Sequence, residues 1–504
     1  MRMQGFDLDT ILINFNGKTT SDNWTIRNAV EGVQIFGGIG SGKTSGSGRL
    51  FALKYLKAGF GGLVLTAKPD EKKLWEDYCR LTGRLGDMVV IEPGGKNNFN
   101  FLEYESKNSS PGMSITGNIV HVLKTVLKAS EEKQGGKSDD MFWENSTDLL
   151  MHNLVDLCKL AYGALRIKDL YEIAQSLPKT ENELLDPKLA DRPYQKAIRI
   201  ANKKVKEKLD EWERKFDLQE LSKMEKEGTS SGRAMEDIPE LHLLSQIEDF
   251  FHIYIPMSEK TRSIIDFSFV GFLSRFMHEP VYSLFSNKIS NIEPEDCLRG
   301  AIIVLNLPVK SYGKVGRDAQ IMFKYIWQRA MERRDPKYGQ RPVFLWADES
   351  QNFLHEHDAD YQATARSSRI CTVYISQNLP NYYANMGGEK SEYRVKSFLG
   401  TLNTKIFHAN ADIETNTYSS TLIGEAEYER KSIGATAGVN NISGSQTSST
   451  HTEKIVRPEV FVKLKTGGSN NDGVIEAYIH RPGAPFSTGD NHLKTKFNQS
   501  DLKL

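Results

Sequence analysis

The strongest constraint on this chain lies where Val33-Gln-Ile-Phe36 runs into Gly37-Gly-Ile-Gly-Ser-Gly42-Lys43-Thr44. A short apolar strand breaks into a glycine-rich turn that satisfies GxxxxGK(S/T) at every fixed position, and the apolar helical run Leu50–Leu56 follows. That order reads as a phosphate loop. Glycines let successive backbone N–H groups turn inward around the α- and β-phosphates of a nucleotide, with dihedrals most side chains forbid. Lys43 supplies a point charge for the β- and γ-phosphates, and the Thr44 hydroxyl is placed to ligate Mg²⁺ at a helix start whose dipole favours anions. ATP with Mg²⁺ is therefore the expected ligand, held by Gly37, Gly38, Gly40, Ser41, Gly42, Lys43, Thr44 and Ser45. The glycines at 46 and 48 are costly in a helix start, at about 1 kcal/mol each. Close approach of a neighbouring backbone is the expected reason.

At 504 residues the chain exceeds what one hydrophobic core usually supports, so two or more domains are expected. Cys79, Cys158, Cys297 and Cys371 lack CxxC or metal-ligand spacing and read as reduced thiols, not a disulfide framework or zinc site. The sequence contains neither an 18-residue apolar run nor a signal-peptide pattern, which predicts a cytoplasmic protein without direct membrane insertion. Lys plus Arg and Asp plus Glu both number 65, so contact with nucleic acid has to come from local clusters.

Beyond the loop, Gly62–Ala67 and Met88–Glu92 read as buried strands around a charged helix from Asp70 to Leu81. This alternation predicts an α/β fold with a mostly parallel sheet. Residues from about 113 to 290 lose strand character. Helical periodicity marks Ile115–Ser130, Met141–Tyr162, Ile167–Leu177 and a long charged stretch, Tyr194–Lys226, between polar joints at 132–137 and 228–232. The expected organisation is a motor domain in two parts, 1–112 and 291–504, split by an all-α domain at 113–290.

Strand logic resumes at Ala301–Asn306 and continues, after the helix Ala319–Arg334, at Pro342–Ala347. This last strand ends in Asp348-Glu349: the first acid orients Mg²⁺ or its waters, and the second polarises an attacking water. The strand Arg369–Ser376 ends in Gln377, an amide able to sense the γ-phosphate or the water. Between them, Arg366 and Arg369 are candidates for a guanidinium supplied to a neighbouring copy's γ-phosphate. The catalytic candidates are thus Glu349, Lys43 and Gln377 with one of the two arginines, Arg366 or Arg369, and the metal set is Thr44 and Asp348.

The ordered stretches Phe36–Gly48, Phe142-Trp-Glu144, Ile303–Val309, Phe323–Arg329, Leu345–Gln351 and Tyr374–Gln377 resemble conjugative coupling proteins of type IV secretion, the TraG/TraD kind in the FtsK/HerA superfamily. The resemblance spans residues 24 to 420. It implies a RecA-like P-loop motor with an all-α domain near a pore entrance, working as a ring-shaped homo-oligomer, a hexamer, that drives single- or double-stranded DNA with ATP. It assigns Lys43 and Thr44 to nucleotide and Mg²⁺, Asp348 and Glu349 to the acid pair, Gln377 to the sensor and Arg366 to the finger, with Arg369 as fallback. A relaxase, nuclease or membrane-channel partner goes with such a motor. Membrane-bound members begin with transmembrane helices, whereas polar residues precede the loop here, so channel docking is expected to need a separate membrane partner. The alternative reading is a nucleotide-controlled scaffold ring that recruits a partner without translocation.

Three further expectations concern less informative segments. The charged run Lys196–Lys226 reads as an exposed, salt-bridged helix. The small polar run Gly434–Thr450 reads as a mobile connecting loop. Trp24 reads either as an adenine-stacking ring or as packing at the domain edge, and residues 455–499 as a small β edge element.

Overall fold

The structure, a computed structural model, describes residues 6–17, 19–108, 115–132, 141–217, 219, 224, 230–286, 288–335, 341–386, 391–437 and 442–499. The polar joints read at 132–137 and 228–232 fall largely outside them, as do residues 438–441. The chain divides into two compact units, one comprising 1–89, 295–305 and 328–504, the other 90–294 and 306–327. The helical unit therefore takes in more chain than the block read at 113–290.

In the first unit, β1 (Ile11–Asn14) and β2 (Asn23–Thr25) make a small antiparallel pair. The main sheet contains β3 (Val33–Phe36), β4 (Gly61–Leu65), β5 (Met88–Ile91), β6 (Ile302–Leu305), β7 (Val343–Ala347), β8 (Ile370–Ser376) and β9 (Thr404–His408). A long antiparallel ribbon, β10 (Glu425–Ala437) and β11 (Ile442–Lys454), stands apart, and β12 (Val474–His480) and β13 (His492–Asn498) complete the sheet. The strand order is β13-β12-β9-β3-β8-β7-β4-β6-β5. From β9 to β6 all pairs are parallel, and β12 and β13 close the edge antiparallel. Within β5 the chain passes from the first unit into the second.

Every residue of β3, β4, β6, β7, β8 and β9 is buried. This explains their continuous apolar runs, since a parallel sheet is covered on both faces. The helix Arg49–Lys57 packs through Phe51 and Tyr55, which meet Trp24 at ring-centroid distances of 4.7 and 6.2 Å. Trp24 is thus a fully buried core residue whose indole N–H donates to Thr404 Oγ1 at 3.1 Å, and it is not available to a nucleotide base. A buried indole keeps its place only when its N–H finds such a partner.

In the second unit every element described between residues 101 and 285 is a helix. Pro193 and Pro239 stand in the first turns of Pro193–Glu213 and Pro239–Tyr254, where proline's missing N–H costs nothing. Ser258 caps Glu259–Met277 by accepting the Thr261 N–H at 3.2 Å, a contact worth about 1 kcal/mol. The charged helix stops at Glu213, short of the expected Lys226. Trp212 ends it by turning inward against Ala234 and Ile238, with its indole N–H on Asp237 Oδ2 at 2.9 Å. Charge periodicity alone carried no sign of that apolar anchor.

The larger correction concerns Gly434–Thr450. Instead of a connecting loop, its described residues belong to the ribbon, where Glu425 pairs with Lys454 and the register runs unbroken to Ala437 with Ile442. Thr and Ser at alternate positions supply β-compatible backbone without the apolar alternation that usually betrays a strand.

Candidate functional site

In a parallel sheet all strand C-termini face one edge, and there β3, β8, β7 and β4 bring their following residues together. β3 delivers the phosphate loop, β8 delivers Gln377, and β7 delivers Asp348 and Glu349. β4 delivers Lys68, which sequence reasoning overlooked because its place depends on strand order and not on chain order.

The loop is anchored from two sides. The Gly37 N–H donates to Ser376 O at 3.3 Å, and the Gly38 N–H to Ala409 O at 2.8 Å. Gly42 has φ +82°, and a Cβ there would stand 2.4 Å from Ile475 Cδ1. The helix after the loop opens with a π turn, since the Gly48 N–H donates five residues back to Lys43 O at 2.8 Å. A Cβ on Gly46 would lie 2.9 Å from Ile475 Cδ1, and one on Gly48 3.2 Å from Ile375 Cδ1 and 2.9 Å from Lys43 O. Overpacking costs about 1–3 kcal/mol, against about 1 kcal/mol for a helical glycine, so glycine wins. The expected close approach of backbone is met at Gly48, by the Lys43 carbonyl, whereas at Gly46 the close neighbour is the Ile475 side chain.

Lys43 is buried, and burial pushes its ammonium below the usual lysine range despite the opposing pull of Asp348 and Glu349. Thr44 Oγ1 donates to Asp348 Oδ2 at 2.9 Å. Ser41 Oγ is buried without a hydrogen-bond partner, and Ser45 Oγ accepts from Gln499 Nε2 at 2.8 Å. Glu349 adopts a left-handed backbone, φ +51°, at the sharp turn after β7. Burial works against its charge, but hydrogen bonds from Gln351 (2.9 Å) and Gln377 (3.2 Å), with the ammonium groups of Lys68 and Lys43, outweigh it and hold its carboxyl below the ordinary range. Gln351 in turn accepts from Ser376 Oγ at 2.9 Å, so the Glu349 carboxylate is braced from β8.

Lys68 Nζ lies 3.5 Å from Asp348 Oδ2 and 3.4 Å from Glu349 Oε1. Burial alone would lower its pKa; Asp348, Glu349 and Glu71 together raise it. Glu71 is itself raised to about 8, first by burial and then by Asp348, and its Oε1 has no partner.

Arg366 is not brought to this edge. It precedes β8, at the opposite end of the strands, with its side chain 59% accessible and a 3.5 Å contact to Glu31. Arg369 is committed locally, with φ +51° and Nη1 donating to Phe6 O at 2.5 Å.

The residues fit Mg²⁺ and a triphosphate. Magnesium prefers a carboxylate or hydroxyl plus phosphate oxygens and water to a full protein cage. Thr44 and Asp348 offer two such oxygens, and the described residues include no cluster of His, Cys, Asp or Glu suited to a metal by themselves. Ser41 Oγ, buried without a partner, is a hydroxyl left over for phosphate.

A family model described as the TraM recognition site of TraD and TraG matches residues 342–466. Solved structures agree across the whole chain. The unbound bacterial conjugative coupling protein TrwB, truncated at its N-terminus, matches at 13% identity and TM-score 0.58, over 96% of this chain and 88% of that one. Residues 342–466 are TraG/TraD-like, and the fold of the chain is similar to that of TrwB. TrwB with the non-hydrolysable ATP analogue ADPNP matches at 13% identity and TM-score 0.57, over 99% and 91% of the two chains. TrwB with ADP and Mg²⁺ matches at 13% and 0.57, over 99% and 90%. At such identity the likeness establishes the fold alone, an α/β fold with a large mostly parallel sheet and a helical part. No curated protein matches by sequence. No described helix is long and apolar enough to cross a membrane.

Proposed function

We propose that this chain is an ATP-hydrolysing motor of the conjugative coupling type, working in the cytoplasm as a ring of copies, a hexamer, that moves DNA. The observation that carries the reading is the convergence of Lys43, Thr44, Asp348, Glu349 and Gln377 at one sheet edge, together with the likeness to TrwB structures that hold nucleotide and Mg²⁺. Mg²⁺ held by Thr44 and Asp348 would draw charge from the phosphate oxygens when bound. Lys43 spreads the charge that develops on the γ-phosphate, and its buried position strengthens that effect. Glu349 orients the attacking water and takes up its proton, while Gln351 and Gln377 fix the carboxylate. Arg366, exposed and away from its own chain's loop, is the candidate for a neighbour's nucleotide; Arg369, already spent on Phe6, is the poorer candidate.

The test is ATP turnover with and without single- or double-stranded DNA at moderate salt. Lys43→Ala abolishes turnover, Glu349→Gln retains bound ATP, and Arg366→Ala loses hydrolysis yet keeps nucleotide binding. Full hydrolysis by Lys43→Ala would falsify the site. A second reading has its own support: the formal net charge is zero, and the matched segment 342–466 is in TraD and TraG a site for recognising a protein partner. Absence of stimulation by either DNA form would favour that scaffold role, in which a relaxase, nuclease or membrane-channel component is recruited without translocation.

A further inference from the structure

The Asp348 oxygen that Thr44 reaches is also the one that Lys68 reaches. Thr44 Oγ1 stands 2.9 Å and Lys68 Nζ 3.5 Å from Asp348 Oδ2, and the same ammonium is 3.4 Å from Glu349 Oε1. Asp348 and Glu349 keep 5% and 10% of their side-chain surface, so their charges are poorly solvated and need a partner in place. With Lys43 also acting on both carboxylates, two ammonium groups face two acids. A divalent ion added to that set leaves an excess of positive charge, and the more exposed lysine, whose ammonium stands at the carboxylate oxygen itself, is the one to yield. Lys68 keeps 28% of its side-chain surface, against the buried Lys43, and it follows the tip of β4, off the loop.

We propose that Lys68 is the resident counter-cation of the acid pair, and that a divalent ion binds Asp348 in competition with it. This rests on the reading of Thr44 and Asp348 as the cation site. Lys68 holds Asp348 and Glu349 close together before metal and nucleotide arrive; metal entry frees its ammonium for a new acceptor.

The competition is measurable by Mn²⁺ titration, followed by electron paramagnetic resonance, of the full chain saturated with ADP. Saturation is set beforehand for each variant with a fluorescent ADP analogue. Lys68→Met, which keeps the length and removes the charge, binds Mn²⁺ about tenfold more tightly than the unaltered chain, a modest share of the attraction between unit charges at this spacing. Lys68→Arg retains the original affinity, and melting curves check that both variants fold. Unchanged or weaker Mn²⁺ binding by Lys68→Met overturns the proposal. Asp348→Asn separates the two layers. If it abolishes Mn²⁺ binding while Lys68→Met changes nothing, only the role of Lys68 falls. If it binds Mn²⁺ as the unaltered chain does, the cation site itself is misplaced and the proposal falls with it.

Discussion

Two stretches of this chain are built from the same small residues and have opposite fates. Gly37–Gly48 and Gly434–Thr450 are both rich in Gly, Ser and Thr. The first is clamped, with Gly42 and Gly46 against Ile475, Gly48 against Ile375, and Ser47 Oγ 2.7 Å from the buried His408 Nε2. The second belongs to a ribbon that pairs only within itself, and its described side chains at 446 and 448–450 are exposed. Composition supplies permission to adopt unusual backbone; the neighbours decide whether that permission becomes a rigid cradle or a solvated extension.

The sharpest way to break this contrast is to add one methyl group to the clamp. Gly42→Ala places a Cβ 2.4 Å from Ile475 Cδ1 on a backbone with φ +82°. Overpacking costs about 1–3 kcal/mol, and the positive φ adds roughly another 1 kcal/mol. Fluorescent ADP titration is expected to show affinity at least about tenfold weaker, with a lower melting midpoint. Ile475 is itself fully buried, so Ile475→Ala alone costs about 2–5 kcal/mol; the double variant is expected to lose clearly less than the sum of the two single losses, because the clash is gone while the strain at φ remains. Unaltered midpoint and affinity in the Gly42→Ala variant would mean that the clamp is not what shapes the loop.

How much of this was visible in the sequence follows from the same contrast. Asp348, Glu349 and Gln377 follow directly on buried strands, and Lys43 and Thr44 close the glycine-rich loop that follows β3; parallel pairing gathers such strand ends on one edge. Lys68 sits at an equally apolar strand end but was missed, because β4 becomes the neighbour of β7 only in the folded order. Gln351 lay within a recognised stretch, yet its brace on Glu349 depends on the left-handed turn at Glu349, which no pattern announces. Trp24 lacked a visible partner because Phe51 and Thr404 come from distant chain. The ribbon escapes sequence reading because its run of Ser, Thr and Gly carries no alternation of apolar and polar residues, the period-two signal that marks most strands.

A smaller effect probes the clamp through pH. Burial first, then the Lys43 charge, pushes His408 down to about 3, so the folded chain holds it neutral. Between pH 6.5 and about 3 the unfolded chain binds a proton that the folded chain refuses, so stability falls as pH falls through that window. The contribution is fully present above pH 6.5 and amounts to a few kcal/mol, about 1.4 per pH unit, across the range. His480, pushed down to about 4 mainly by burial, acts in the same direction. His408→Asn should therefore flatten the decline of the melting midpoint between pH 6.5 and 4 without removing it. An unchanged slope would show that His408 is hydrated and the helix after the loop less tightly held than its contact to Ser47 indicates.

The ribbon should give the smallest response of all. Glu429 pairs directly with Thr450, and the side chains described from Glu427 to Ser432 and from Ser448 to Thr452 are exposed. Replacing residues 430–449 by Asn-Gly joins that pair through a two-residue turn whose twist suits a hairpin. Because surface changes away from buried contacts stay within about 0.5 kcal/mol, the melting midpoint and basal ATP hydrolysis are expected to match the intact chain. A marked fall in hydrolysis would make the ribbon part of the machinery, and the difference between clamped and solvated small-residue segments would then be one of partner and not of role. An unchanged rate leaves the clamp as the only one of the two on which turnover depends, which is what the contacts around Ile475 and His408 require.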